Sequence, residues 1–311
     1  MTGAHGSLKL KMHIPDGFLS PPVWGSLAVV SLGAVSLAAR KAQAGAGESR
    51  APLLGVMGAF VFAAQMINFP VGVAASSHLV GAALLSYTVG PWAATVVMSA
   101  ILVIQALIFQ DGGVTALGAN VFNMAVAGVA LGYLPYRICG GRWRRVAILA
   151  GGFLSVFVAS TFTLGELLLS RVPLSNHALA GALGIFALTG AVEGVITLAV
   201  TEAIERVNPQ WVERPQPIKR LTRGVFAAAV ALTGGAFWFA SPMPDWLQHL
   251  AELAGFRQLA KTVLPAVFPD YEAVFLASPW LSRTFAGLLG LAATYAVCYA
   301  VGRWITRWRS A

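Results

Sequence analysis

Residues 146–169 read VAILAGGFLSVFVASTFTLGELLL, and residues 178–204 read ALAGALGIFALTGAVEGVITLAVTEAI. The first stretch carries one ionisable group, Glu166, and the second carries two, Glu193 and Glu202. Crossing the hydrocarbon core of a bilayer takes about 20 mainly apolar residues in helical form, because each adds about 1.5 Å. Both stretches exceed that length, and membrane helices tolerate the glycines inside them. Outward from this pair, further apolar runs occupy 21–39, 52–69, 78–90, 91–110, 117–137, 222–241 and 283–303. The shortest, 78–90, is parted from the next only by Gly90-Pro91. Of the 311 residues, 57% are hydrophobic and 11% charged, against about 25% charged in average soluble chains. The mean hydropathy is +0.73. The expected fold class is all-α: a polytopic membrane protein with seven spans, a linker and two further spans.

The excess of basic residues follows the same logic. The net charge is +9, which in a soluble chain would suggest nucleic acid. Most Lys and Arg fall instead in four clusters between or after apolar runs: Arg40, Lys41 and Arg50; Arg137, Arg142, Arg144 and Arg145; Arg206, Arg214, Lys219, Arg220 and Arg223; Arg303, Arg307 and Arg309. Cytoplasmic loops carry such clusters. Nine spans with the N-terminus outside put all four on the cytoplasmic side, with the C-terminus; eight spans misplace half. The charges are expected to orient the chain in the cell (inner or plasma) membrane, against lipid and with no nucleic-acid partner. The first residues, polar and few, do not read as a cleavable signal peptide. Cys139 and Cys298 lie too far apart in sequence for a Cys-x-x-Cys motif, and no disulfide is expected.

The stretch Arg206–Arg223, with Pro209, Pro215 and Pro217, reads as a linker. Between the last two spans, Trp246, Leu247, Leu250, Leu253 and Leu259 recur at helical spacing among Gln248, Glu252 and Lys261. This pattern fits an amphipathic helix on the membrane surface or an ordinary packed external helix. Gly55, Ala59 and Ala63 form a small-residue stripe on the second run, suited to close helix approach either inside the bundle or against a partner subunit. No phosphate-binding Gly-x-x-x-x-Gly-Lys-Ser/Thr, no His-Glu-x-x-His and no Gly-x-Ser-x-Gly is present. The chain is therefore expected not to be an enzyme, and any ATP hydrolysis belongs to partner subunits.

Metal chemistry is the remaining signal. Met12-His13-Ile14-Pro15-Asp16-Gly17 stands just before the first run. If Met12 began the chain, its amine, the His13 amide nitrogen and His13 Nδ1 would form fused chelate rings. A fourth nitrogen from His78, at an outer helix end, would complete a square plane suited to Ni(II) or Cu(II). From spacing alone, interfacial histidines with no ligand are the more ordinary reading. Asp111, Asn120 and Asn123 flank an outer loop and could orient the histidines or merely satisfy backbone groups. Glu193, deep in its span, is a functional or a structural carboxylate. Glu166 near a helix end reads as hydrated. His5, His177 and His249 read as no ligands.

Four motifs in order carry a resemblance: Met12–Pro21 (MHIPDGFLSP), Ser77–Leu84 (SHLVGAAL) with Gly90–Ala94 (GPWAA), Gln110–Met124 (QDGGVTALGANVFNM) and Ala191–Thr197 (AVEGVIT). Over 12–208 the chain resembles the NikM/CbiM family, the membrane substrate-capture subunits of energy-coupling-factor nickel and cobalt transporters. Past the linker, Phe239–Gln248 (FASPMPDWLQ) and Phe285–Gly290 (FAGLLG) resemble the two-span NikN partner or its Pro-Asp-Gly-Leu-Glu relatives, with Trp246 and Gln248 in place of the expected Gly and Glu. The resemblance implies a tail at 1–11 that is non-native or trimmed, a seven-span module at 12–208, a cytoplasmic linker at 209–221 and a two-span module at 222–311. It implies Met12, His13 and His78 as metal ligands and nickel(II), or else cobalt(II), as the transported substrate. A transmembrane scaffold subunit and ATPase subunits are the implied partners. A membrane-embedded metalloenzyme and an autonomous secondary transporter are the rival readings. The first needs an open coordination position with an acid or base, and the second would be expected to show repeat symmetry.

Overall fold

The structure, a computed structural model, describes residues 13–45, 51–72, 75–207, 219–241 and 243–307. Met12, Arg50 and the linker residues Pro209, Arg214, Pro215 and Pro217 lie outside the described residues, as does His5.

Helices dominate. α1 (Pro21–Gly45) is followed by α2 (Ala51–Gln65), a hairpin of β1 (Asn68–Val71) and β2 (Ala75–His78), α3 (Ala82–Val89) and α4 (Pro91–Phe109). A continuous helical run then comprises α5 (Leu117–Asn120), a π-helical stretch at Val121–Gly128 and α6 (Val129–Cys139). α7 (Arg144–Leu169) and α8 (Asn176–Val207) pack against each other, α9 (Lys219–Phe239) and α11 (Pro279–Arg307) close the bundle, and α10 (Trp246–Leu253) lies between them in sequence. Among the described residues, seven helices are long and apolar enough to cross a membrane, and α2 is a shorter apolar helix.

Two of the nine expected runs take another form. The run 52–69 stops being helical at Gln65, and Asn68–Val71 turns into a strand that pairs antiparallel with Ala75–His78. Proline cannot donate to a helical or central-strand ladder, and Pro70 here sits exposed on the two-stranded ribbon. Gly72 supplies a positive φ of 71° on the turn side. The run 78–90 holds only the eight-residue α3, about 12 Å of helix. α3 is entered through Gly81 in a left-handed conformation and ends at Gly90, where φ is 87°. Its residues are all buried, so it is a core helix threaded through the bundle.

The described members of the basic clusters lie at one end. Lys41 lies 4.4 Å over the Trp92 ring, Ile305 packs with Ala38 and Val96, and Arg144 pairs with Glu205 while Arg145 pairs with Glu202. His13, the hairpin and α10 occupy the opposite end. The small-residue stripe is an internal seam: a Cβ on Gly55 would stand 3.0 Å from the Tyr295 ring, and one on Gly58 2.7 Å from Cys298 Sγ, so α11 fits directly against α2. α10 is no surface float. Its apolar face (Trp246, Leu247, Leu250, Ala251) is buried, and the Trp246 ring meets Phe186 of α8 edge-on at 4.5 Å.

Candidate metal centre

The segment 13–20 is not helical, so its backbone groups need partners from elsewhere. The stretch from the end of α4 through α5 supplies them. Ile14 N–H donates to Asn120 Oδ1 at 2.9 Å, and Asn120 Nδ2 donates back to the Ile14 carbonyl at 3.1 Å. Gly113 N–H donates to the same carbonyl at 2.9 Å. Asp16 Oδ1 accepts from Thr115 N–H at 2.7 Å and from its hydroxyl at 2.6 Å. A Cβ at Gly113 would fall 2.2 Å from the Asp16 nitrogen, and one at Gly112, where φ is 98°, 2.9 Å from His13 Cβ. The Gly112-Gly113 pair is therefore what lets the two strands of chain touch. On the other side, Lys261 N–H donates to the Asp16 carbonyl at 2.8 Å, and Phe18 packs edge-on against Phe256.

The two histidines come together at this seam. His13 and His78 have ring centroids 5.6 Å apart, tilted by 46°, and both are at least 96% buried. Their second nitrogens are pinned in the same manner. His13 Nδ1 is 2.9 Å from Asp111 Oδ1, and His78 Nδ1 is 2.7 Å from the Leu79 carbonyl oxygen. Both partners accept, so each Nδ1 carries a hydrogen, and in the neutral ring Nε2 is then the nitrogen with the lone pair. Both Nε2 atoms are buried, and that of His13 meets no hydrogen-bonding group among the described residues. An imidazole whose Nδ1–H is tied to a carboxylate or carbonyl is the usual state of a metal-ligating histidine. This differs from the sequence expectation in one respect: the chelate through His13 Nδ1 requires that ring to turn away from Asp111, and Nε2 is the nitrogen the structure leaves available. No group of three or more His, Cys, Asp or Glu side chains set to hold an ion occurs among the described residues, and Met12 lies outside them.

Glu193 fixes the chain just after His78. Its carboxylate accepts Val80 N–H at 2.9 Å and Gly81 N–H at 2.7 Å, one on each oxygen. Gln65 Nε2 donates to the Val80 carbonyl at 2.7 Å from the other side. A wholly buried carboxylate is costly unless hydrogen-bonded, and here it holds the turn that delivers His78. On the hairpin, Ser76 N–H donates to the Pro244 carbonyl at 2.8 Å, and the Ser76 hydroxyl donates to the Met243 carbonyl at 2.9 Å. Asp245 caps α10 by accepting Leu247 N–H at 2.9 Å. Burial raises its carboxyl well above the ordinary range, and the nearby charge of Asp111 adds to the rise.

The other sequence candidates separate. Asp111 and Asn120 serve His13 and Ile14 directly. Asn123 does not: Nδ2 donates to Glu166 Oε2 at 3.0 Å and to the Thr163 hydroxyl. Glu166 is thus buried and hydrogen-bonded rather than hydrated. His177 is exposed and His249 half-buried. Tyr271, which sequence reasoning passed over, donates its hydroxyl to Asp111 Oδ2 at 2.8 Å. Gln65 and Gln105 were passed over as well, and Gln105 Nε2 donates to Gln65 Oε1 at 2.9 Å. Polar side chains inside otherwise apolar runs were the one signal that could have marked them.

A bundle of helices long and apolar enough to cross a membrane, with a buried histidine pair at one end, places the chain among multi-pass membrane proteins. Residues 13–211 match the family model CbiM, described as the cobalt uptake substrate-specific transmembrane region. The chain belongs to this family. It is 32% identical to a protein of Archaeoglobus fulgidus provisionally named a fused nickel transport protein NikMN, over 94% of this chain and 99% of that one. It is 29% identical to the fused nickel transport protein NikMN of Rhodobacter capsulatus, over 90% and 94% of the two chains. It is 34% identical to the cobalt transport protein CbiM of Acetoanaerobium sticklandii, over 61% of this chain and 82% of that one. A solved structure described as a transition metal transporter matches 70% of this chain and 99% of its own length, with 29% identity and a TM-score of 0.58.

Proposed function

We propose that this protein is the metal-capture component of a nickel(II) uptake transporter of the energy-coupling-factor type. The observation that carries the reading is the pair of buried imidazoles 5.6 Å apart, each with Nδ1 tied to an oxygen. Neutral imidazole suits Ni(II) and Co(II). His13 and His78 are the protein's imidazole ligands, and the amine of Met12 is the third donor in a chain that begins there. Asp111 and Glu193 position the two histidines. The ion enters from the outer side, the end opposite the basic clusters, and leaves when a transmembrane scaffold subunit and ATPase subunits reorient the capture module. The modules are 12–208 and 222–311, joined by a cytoplasmic linker at 209–221.

Nickel is favoured over cobalt by coverage. Two relatives that match nine-tenths or more of this chain are named for nickel, whereas three cobalt transport proteins named CbiM match about two thirds or less. The metalloenzyme reading needs an acid or base at the ion. Glu193, the carboxylate deep enough to invite it, has both oxygens occupied by backbone N–H groups.

The test is a Ni(II) titration of purified chains beginning at Met1 and at Met12, each with and without His13→Ala and His78→Ala. Tight binding by the Met12 chain, lost in both alanine variants, supports the reading. Equal binding by the Met1 chain removes the amine from the ligand set, and binding that survives both substitutions overturns the site.

A further inference from the structure

A second buried polar cluster stands apart from the histidine pair. Glu166 lies near the end of α7, and Asn123 lies in the π-helical stretch Val121–Gly128; both side chains are buried. Asn123 follows Asn120, the residue that holds Ile14, by three positions on the same helical run. A carboxyl inside a membrane bundle and a π-helical stretch are each frequent marks of function.

Counting donors against acceptors defines what the cluster lacks. Asn123 Nδ2 has two hydrogens; one goes to Glu166 Oε2 at 3.0 Å and the other to the Thr163 hydroxyl oxygen at 3.3 Å. The Thr163 hydroxyl in turn donates to the Ala159 carbonyl at 3.3 Å. These donors are then spent, and two acceptors are left over. Glu166 Oε1 and Asn123 Oδ1 are both buried and meet no hydrogen-bonding group among the described residues. An ionised Glu166 would keep one charged oxygen bare inside the bundle, which is costly.

No cation faces it from the neighbouring elements. α8 brings Ala182 and Phe186 into the apolar cluster that holds Leu164 and Leu167, while His177 at its start is exposed, as is Arg171 beyond α7. The π-helical stretch offers only Asn123. Residues 18–20, which reach α7 through the bond from Ser20 N–H to Ser170 Oγ, carry no charge. α3 and α6 meet α7 at Gly151, where a Cβ would fall 2.0 Å from the Tyr87 hydroxyl and 2.2 Å from the Gly132 carbonyl oxygen. That level is about 22 Å farther along the helix. Glu193 belongs to it as well, since its carbonyl oxygen would stand 3.1 Å from a Cβ at Gly152. A metal ion fits the cluster poorly, because two free oxygens fall short of the about six that a hard cation takes.

We infer that Glu166 and Asn123 form a proton-binding site, an acid–amide pair completed by a proton on Glu166 Oε1. The proton comes from water. The new O–H bond turns one of the two leftover acceptors into the donor that the other lacks, so the carboxyl and the amide exchange two hydrogen bonds and no charge remains. The proton thereby fastens α7 to the helical run that carries Asn120. Ionisation returns the proton to water and opens this fastening by leaving the carboxylate one donor short. The site stands whether or not the histidine pair holds nickel.

The experiment is infrared spectroscopy of the full-length chain in lipid bilayers at neutral pH, in water and in heavy water. The background is Asp245→Asn, which removes another carboxyl raised by burial. A carboxylic-acid C=O band that shifts in heavy water is expected. It is lost in Glu166→Gln and moves to higher frequency in Asn123→Leu, where the acid has no amide to pair with. Absence of an acid band in the parent chain overturns the inference, as does a band that survives E166Q. A band unmoved in N123L overturns the pairing on which the inference depends. Should E166Q not fold, the parent chain is treated with dicyclohexylcarbodiimide, which reacts with protonated carboxyls, and the adduct is mapped by mass spectrometry. An adduct on Glu166 supports the inference, and adducts confined to other carboxyls overturn it.

Discussion

Glu193 shows how a single buried group can serve a site it does not touch. Its two oxygens accept the two N–H groups that follow the His78–Leu79 peptide, so replacing it with Gln turns one acceptor into a donor facing a backbone donor. Such a mismatch costs about 1–3 kcal/mol. Positioning groups of this kind are worth about 10–100-fold in metal affinity. Glu193→Gln is therefore expected to lower both the melting temperature and Ni(II) affinity, read by thermal unfolding and titration. Unchanged affinity in a folded variant would show that the clamp does not place His78. Asp245 gives a prediction in pH. Its carboxyl is raised well above 3.8 by burial, so the folded state binds the proton more tightly than the unfolded one. Stability is fully present below the ordinary value and declines as pH rises through the folded one. Asp245→Asn keeps an acceptor for the α10 cap and removes this dependence, so the melting temperatures of the two chains should diverge as pH is raised, with the variant higher. The histidines themselves were legible from His13 standing before the first span and His78 at a span end. Glu193 was legible as an anomaly inside an apolar helix. Its partners were not, because backbone N–H groups more than 110 positions away leave no trace in its neighbourhood.

The long helices were the readable elements: a run of 20 or more apolar residues admits little else in a membrane chain. The hairpin at Asn68–His78 and the short α3 were hidden, because Asn68-Phe69 extend the apolar run before them, α3 is as apolar as its neighbours, and only Pro70, Gly72, Gly81 and Gly90 hinted at breaks. What made the difference is tertiary. Glu193, Gln65 and Pro244 satisfy backbone groups that a full helix would have satisfied itself. The external helix was legible as amphipathic, but whether lipid or protein met its apolar face was not, since both are equally greasy. α11 carries the next prediction. A Cβ at Gly290 would lie 2.4 Å from Phe62 Cζ and 2.6 Å from Phe109 Cζ, the rings on which Tyr271 rests. Gly290→Ala should push α11 off this cluster at a cost of about 1–3 kcal/mol and loosen metal binding with it. A variant that melts and binds like the wild type would contradict the packing described.

At the scale of the molecule, distant parts of the chain meet at the histidine pair. The stretch 243–283 closes over residues 13–20 and the hairpin through Lys261 on Asp16, Pro244 on Ser76 and Tyr271 on Asp111. Removing the proposed 222–311 module with it would expose backbone groups that now have partners there. A chain ending at residue 221 is expected to fall well short of the full chain in nickel uptake by cells that supply the remaining transporter subunits, and unchanged uptake would refute an essential role for the module. This construction was hidden in the sequence: the proline-rich stretch suggested a division of the chain, whereas the contacts that bring its distant parts together span most of its length. The central claim is that His13 and His78 both bind the ion, and X-ray absorption at the nickel edge of the loaded protein tests it most directly. Scattering from two imidazoles, falling to one in His78→Ala, is the predicted result. A spectrum of oxygen donors alone, or one that neither histidine substitution alters, would contradict it.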